Sequence, residues 1–418
     1  MSTPPAKRLQ ANGMARWMIR RYVASFDGLS REVWLLALVL LVNRCGSMVV
    51  PFLAVYLREE RGLDPLAIGW VLAACGVGGV VGSYLGGLLT ERCGPVAVII
   101  GSFALSAPAF AAIPFCDDTV SLFAVLTLRQ IVADIARPAS AAGATLFAGE
   151  AHHAQALALN RLANNLGFSI GPVIGGLLAQ IDFFWIFPAN AAASVAGAVF
   201  AYFALRSHLN AASARTDETT LADIGRGPWR DGPFLLFLAL FALGELVFFQ
   251  MVTTLPLFWS EQLGLSKLAI GGLYAVNTLL VVTCEMPLTS AVKRYRPLAL
   301  VAVGAVFSAV GFGLTPLAGS LLGAALLVAV FTFGEMLSAP FSAAYAASRS
   351  GESRRGAFMG AYAMAVSAAT VVSPVVALGL YRIDPALPWW CSIGALSVAA
   401  IGIGFLARRG GRAAVAAA

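Results

Sequence analysis

Charged side chains are scarce in this chain. Asp, Glu, Lys and Arg make up 12% of its 418 residues, about half the share of a soluble globular domain. That shortage excludes a water-soluble body, because too little polar surface remains to cover one. Histidine is rarer still, with three residues. They are His152, His153 and His208, in or beside loops, where a neighbouring pair reads as solvated rather than metal-binding. No catalytic cluster stands out, which argues against an enzyme. No G-x-x-x-x-G-K-[ST] sequence is present, which excludes drive by a P-loop ATPase site. The six cysteines (Cys45, Cys75, Cys93, Cys116, Cys284 and Cys391) are scattered and show no metal-ligand spacing. They read as small buried hydrophobes. No metal and no other cofactor is expected.

What the chain has in abundance is apolar length. Hydrophobic residues make up 59%, the mean hydropathy is +0.82, and glycine occurs 42 times, which suits close packing of membrane helices. Apolar runs near the ~20 residues a bilayer requires fall at 33–57, 66–89, 95–115, 119–145, 156–179, 183–205, 234–258, 268–289, 297–317, 320–346, 357–380 and 388–406. The expected fold is therefore all-α and integral to a membrane, with twelve transmembrane helices in two six-helix repeats around a central cavity. The expected layout is a cytoplasmic tail over 1–32, a six-helix bundle over 33–205, a polar linker over 206–233, a second bundle over 234–406 and a tail over 407–418. Residues 14–26 mix basic and bulky apolar side chains, so they read either as a surface-lying helix or as a basic tail serving topology.

Basic residues orient the helices. With both termini cytoplasmic, the segments on that side hold 20 Lys and Arg and the opposite loops hold four. The net charge of +7 is thereby a topology signal, and no nucleic-acid partner is needed. A shift of 202 residues lays Leu66–Gly69 on Leu268–Gly271, Pro95 on Pro297, Pro138 on Pro340 and Pro172 on Pro374. Such parallel repeats place a substrate site near the midplane, between the halves.

Gly167-Phe168-Ser169-Ile170-Gly171-Pro172-Val173-Ile174-Gly175-Gly176 lies in the fifth run. Gly167, Gly171 and Gly175 recur every four residues, so one helix face is bare and another backbone can approach it. Pro172 removes a backbone donor. The segment resembles the G-x-x-x-G-P-x-x-G-G motif of major facilitator superfamily transporters, especially drug/proton antiporters. A second stretch, Gly87 to Pro95, resembles the family's G-x-x-x-D-R-x-G-R loop. Gly87, Arg92 and Gly94 match, Glu91 stands for the Asp and Pro95 for the last Arg. The resemblance implies a cytoplasmic gate there, and it links Arg129 in the fourth run to proton coupling. It also implies a small-molecule substrate, protons as coupling ion, a lipid bilayer as surroundings and a monomer. The Ala- and Gly-rich composition points to a bacterial cytoplasmic (inner) membrane.

A charge at the centre of a spanning helix costs roughly 2.5–3.5 kcal/mol. Yet Arg44, Arg129, Asp134, Arg137, Arg161, Glu245, Glu285 and Glu335 all fall inside the apolar runs. The first half carries four arginines and an aspartate, the second three glutamates. Arginines of one half facing glutamates of the other would offset the cost. Arg44, Arg129, Glu245 and Glu335 lie deepest and read as cavity groups. Arg137, Arg161 and Glu285 lie nearer the cytoplasmic face, as snorkelling or gate residues, and Asp134 with Arg137 reads as a local pair. Asn43, Asn164, Gln250 and Asn277 are candidate polar lining, with Tyr84, Phe248, Phe249, Tyr274 and Phe333 as candidate aromatics. Glu245 is the first candidate proton carrier and Glu335 the second. A carboxylate among apolar groups holds a proton, and one beside a guanidinium releases it. The expected activity is proton-coupled export of a small molecule. A proton-coupled importer or facilitator on the same fold is the alternative, and a non-transporting assembly factor a further one.

Overall fold

The computed structural model describes residues 26–149, 152–209, 227–349 and 355–416. Most of the polar linker and nearly all of the basic stretch 14–26 lie outside them. The described residues form helices joined by short turns, with no strand among them. In chain order the long helices are α1, in two arms, α1a (Arg31–Cys45) and α1b (Leu53–Glu59); α2 (Pro65–Cys93); α3 (Pro95–Ala112); α4 (Thr119–Ala148); α5 (His153–Ile181); and α6 (Ile186–Leu205). There follow α7, again in two arms, α7a (Gly232–Phe248) and α7b (Leu255–Glu261); α8 (Lys267–Val292); α9 (Pro297–Gly313); α10 (Leu321–Arg349); α11 (Arg355–Ile383); and α12 (Leu387–Ala416).

Local chemistry sets their ends. Asp64, Asp118, Asp231 and Ser266 accept backbone N–H groups at the starts of α2, α4, α7a and α8, the usual N-cap arrangement. Gly94 closes α2 at φ +78° and Pro95 opens α3. A positive φ suits glycine, so this residue of the second motif has a turn to make.

Among the described residues, eleven helical segments are long and apolar enough to cross a membrane. The ninth predicted run is the exception. Its helix has 17 residues, about 25 Å at 1.5 Å each, short of the ~30 Å hydrocarbon core. Pro316 follows, and the residue before a proline is pushed out of the helical region; a 3₁₀ turn over Thr315–Leu317 replaces the last helical turn. The first and seventh runs also depart from the continuous helices expected of them. The first unwinds over Gly46–Val49, and the seventh is interrupted at Phe249 and Thr254.

The helices pack in a matched way. α2 packs on α4, α3 on α4 and α6, and α1a on α5 and α6; correspondingly, α8 packs on α10, α9 on α10 and α12, and α7a on α11 and α12. The two groups meet where α2 crosses α11 and α5 crosses α8. For reference, the end holding the turns before α2, α4, α6, α8 and α10 is called distal. The end where the described chain begins, at Phe26, is called proximal.

Four of the residues that carry the 202-residue offset, Gly69, Pro172, Gly271 and Pro374, meet at the two inter-group crossings. A Cβ on Gly69 would lie 2.8 Å from the carbonyl oxygen of Pro374, and one on Gly271 would lie 2.2 Å from that of Pro172. Such approaches have no room for a side chain.

A candidate transport cavity and its seals

Between the two groups lies a cavity of about 470 Å³. Its walls come from α1, α2, α4 and α5 on one side and from α7 and α11 on the other. Asn43, Arg44 and Arg129 line it, as do Asp134 and Arg137. Of the candidate lining residues, Asn164, Gln250 and Asn277 are turned elsewhere. Asn164 Nδ2 donates to the Asn160 carbonyl at 2.8 Å, Gln250 Nε2 donates to Ser392 Oγ at 3.1 Å, and Asn277 Nδ2 reaches Thr332 Oγ1 at 2.9 Å. Of the aromatics, Phe249 lines the cavity, whereas the Tyr274 hydroxyl is buried and donates to the Met251 carbonyl at 2.6 Å.

Arg44 is positioned by the break in α1 and the bare face of α5. A Cβ on Gly167 would meet Arg44 Cβ at 2.6 Å, one on Gly171 would meet the Cys45 carbonyl at 3.0 Å, and one on Gly175 would meet Met48 Cβ at 3.1 Å. The glycine repeat thus admits the unwound segment itself. Asn190 of α6 secures the same segment, accepting the backbone N–H groups of Met48 at 3.2 Å and Val49 at 3.4 Å. The Met48 N–H also donates to the Gly46 carbonyl at 2.7 Å, whereas the Val49 N–H depends on Asn190, and an unsatisfied donor is costly in an apolar interior. Asn190 is absent from the sequence-based candidates. Its only signal was a solitary amide in an otherwise apolar run.

The expected cross-half pairing of the central charges does not form. Arg44 faces the cavity with its guanidinium 5.6 Å from the ring centroid of Phe168 and, among the described residues, with no carboxylate at ion-pair distance. Arg129 is buried, 5.2 Å from the Phe110 centroid, and its Nε has no hydrogen-bond partner. Its Nη2 donates to Gln130, Gln130 donates to Asp134 at 2.7 Å, and Arg137 donates to Asp134 at 2.8 Å. A polar string therefore runs down α4, and the local Asp134–Arg137 pair is part of it. Gln130 was not among the sequence candidates; spacing alone did not show that it bridges the two.

The glutamates stay in their own group of helices. Glu335 Oε2 accepts from Asn277 at 3.1 Å. Glu245 makes no hydrogen bond or ion pair among the described residues, and a charge acting on it is that of Glu335. Among the described residues neither acid has an ion pair with Arg44 or Arg129: Asn277 of α8 holds Glu335 within its own group. Arg161 and Glu285 do pair across the two groups, at 2.7 Å, near the proximal end.

The distal end is closed by several such contacts. Arg58 Nε donates to Glu261 at 2.7 Å, Lys267 pairs with Glu59, Ser260 donates to Glu59 at 2.6 Å, and Arg382 lies 3.3 Å from Asp64. The Tyr381 hydroxyl also donates to Glu261, at 2.9 Å. Beneath them sit the Gly69 and Gly271 crossings, and Gly176 against the Lys267 carbonyl. At the proximal end Glu91 and Arg92 are exposed, and Gly87 has open space around its Cβ direction.

Long apolar helices around a polar cavity, sealed at one end, define a membrane transporter. Residues 36–374 match the family model of the Major Facilitator Superfamily. The chain belongs to that superfamily; it is a multi-pass membrane transporter, not an enzyme. It is 23% identical to an uncharacterised MFS-type transporter, YttB, of Bacillus subtilis over 82% of this chain and 87% of that one. It is 21% identical to the multidrug resistance protein MdtH of Aeromonas hydrophila over 87% and 92%, and 22% identical to a Na(+), Li(+), K(+)/H(+) antiporter of Planococcus maritimus over 80% and 85%. Among solved structures it resembles a peptide transporter, POT, with TM-score 0.79 at 15% identity, covering 93% of this chain and 96% of that one.

Proposed function

We propose that the protein is a proton-coupled exporter of a small molecule, working by alternating access in a bacterial inner membrane. Twelve spans in two six-helix repeats would form it. The matched packing of α1–α6 and α7–α12 supports that reading, with the shorter α9 as one of the twelve. The proximal end would face the cytoplasm, as the Lys and Arg bias requires, with the distal end as the outer gate. The structure then represents the state closed to the outside.

The observation that carries proton coupling is the carboxylate pair Glu245 and Glu335. Both acids lie inside membrane helices, Glu245 within the field of the Glu335 charge, and neither has an ion-pair partner among the described residues. A proton on either one removes their repulsion, so occupancy by a proton and the packing of α7 against α10 are linked. The glycine face of α5, which resembles the antiporter motif, and the two proton-linked or drug-linked relatives support the exporting direction.

The test uses everted membrane vesicles holding an acid-inside gradient, challenged with cationic, anionic and neutral amphiphiles. A compound should collapse the gradient with the unmodified protein and not with Glu245→Gln. Collapse with both proteins would move the proton site to Glu335. Uptake of a compound into intact cells, abolished by an uncoupler, would overturn export in favour of import.

A further inference from the structure

The cavity wall is lopsided in charge. Its ionisable lining consists of Arg44, Arg129, Arg137 and Asp134, apart from one cysteine thiol. Asp134 is already satisfied, by Arg137 at 2.8 Å and Gln130 at 2.7 Å. Two guanidiniums are left over. Each lies near an aromatic ring, Arg44 near Phe168 and Arg129 near Phe110; a guanidinium seated on a ring still presents its edge to a planar acid, although Arg129 Nη2 already donates to Gln130. Arg129 Nε–H is buried without an acceptor, a state that costs free energy until a ligand oxygen relieves it. The acids that could attract a cation are elsewhere: Glu335 is held by Asn277, Glu285 by Arg161, and Glu245 lies outside the lining. The opposite wall offers Phe249, Val252 and Thr253, which suit an apolar body and carry no charge.

We infer that the cavity takes an organic anion with an apolar or aromatic body, its carboxylate or phosphonate held by Arg44 and Arg129. The inference rests on reading this cavity as the transport site. A cationic ligand of the same shape would meet two uncompensated positive charges, and a neutral one would leave the Arg129 donor unsatisfied.

Three probes that differ in head group alone decide the matter: 1-naphthoate, 1-naphthalenemethanol and 1-naphthylmethylammonium, titrated calorimetrically into the purified protein in detergent. 1-Naphthoate should bind tightest, by about tenfold or more, the range of a charge-assisted hydrogen bond. Arg44→Gln and Arg129→Gln should each weaken 1-naphthoate by about the same factor and leave 1-naphthalenemethanol unchanged, which also shows that the variants are folded. Arg44→Lys should restore part of the loss, because the charge returns without the planar fork. Tighter binding of the ammonium, equal binding of all three, no binding of any, or 1-naphthoate binding indifferent to both substitutions would overturn the inference. The wild-type ranking stands even where a variant fails to fold. Arg44-dependent binding of 1-naphthoate with no proton flux in vesicles would sink the exporter reading and keep the anion site. Gradient collapse by other compounds, with no 1-naphthoate binding, would do the reverse.

Discussion

The two ends of the bundle are bridged by different means. At the distal end α2 meets α11 and α5 meets α8 backbone to backbone, at Gly69 and Gly271, beneath a network of Glu59, Lys267, Arg58, Glu261 and Tyr381. At the proximal end the described contact of this kind is one ion pair, Arg161–Glu285, whose arginine side chain is 49% exposed. The difference separates packing from charge. Apposed backbones give a dispersion-rich contact with nothing to desolvate, whereas exposed ion pairs contribute about 0–1 kcal/mol each and weaken with salt. A transporter must break one end and form the other, so the distal seal should be governed by glycine and tuned by charge.

Native Cys75 offers a reporter, because it lines the cavity. In a background with the other cysteines replaced, a membrane-impermeant thiol reagent reads the opening of each end. The largest effect is expected from Gly69→Leu with Gly271→Leu. Overpacking of this kind costs roughly 1–3 kcal/mol per site, so labelling of Cys75 from the distal side should rise by tenfold or so. Unchanged labelling would mean that the crossings do not seal that end. A smaller effect is expected from Glu261→Ala, which removes the Arg58 pair and the Tyr381 hydrogen bond together. Labelling from the distal side should rise up to about fivefold, the equivalent of ~1 kcal/mol, and the gain should shrink in high salt. If this change outweighs the glycine pair, the ranking of packing over charge is wrong. The smallest effect belongs to Arg161→Gln. Labelling from the proximal side should increase by no more than about twofold, as befits an exposed pair, and a drop would show that the pair holds the cavity open instead.

Much of this was readable in advance, and the reasons differ by element. The run boundaries came from apolar length, and α2, predicted at 66–89, spans Pro65–Cys93. The Gly167–Gly175 face was visible as a four-residue spacing, because that spacing alone puts glycines on one side of a helix. Asp134 with Arg137 was sound from helical spacing; depth marked Arg161 and Glu285 only as snorkelling or gate residues, and that they pair with each other came from the structure. The breaks at Gly46–Val49 and Phe249 were missed, since hydropathy counts side chains and is blind to where backbone hydrogen bonds stop. The pairing of Arg44 or Arg129 with Glu245 or Glu335 also failed. Opposite charges in opposite halves suggested partners, yet Glu335 is held by Asn277 in its own group and Glu245 lies outside the cavity lining, while Arg44 and Arg129 face the cavity from α1 and α4.

The sequence by itself determined that this chain lives in a membrane, how its helices are spaced, and that position 202 residues on repeats a glycine or a proline. Those are matters of composition and period, and every window of the chain carries them. Tertiary structure alone decided that Gly69 faces Pro374, that Asn190 holds the unwound segment, and that Arg44 and Arg129 stand unpaired beside aromatic rings. Each of those depends on which helix surfaces meet, most of them across more than a hundred residues of chain, and a charge in a membrane is defined by what it meets.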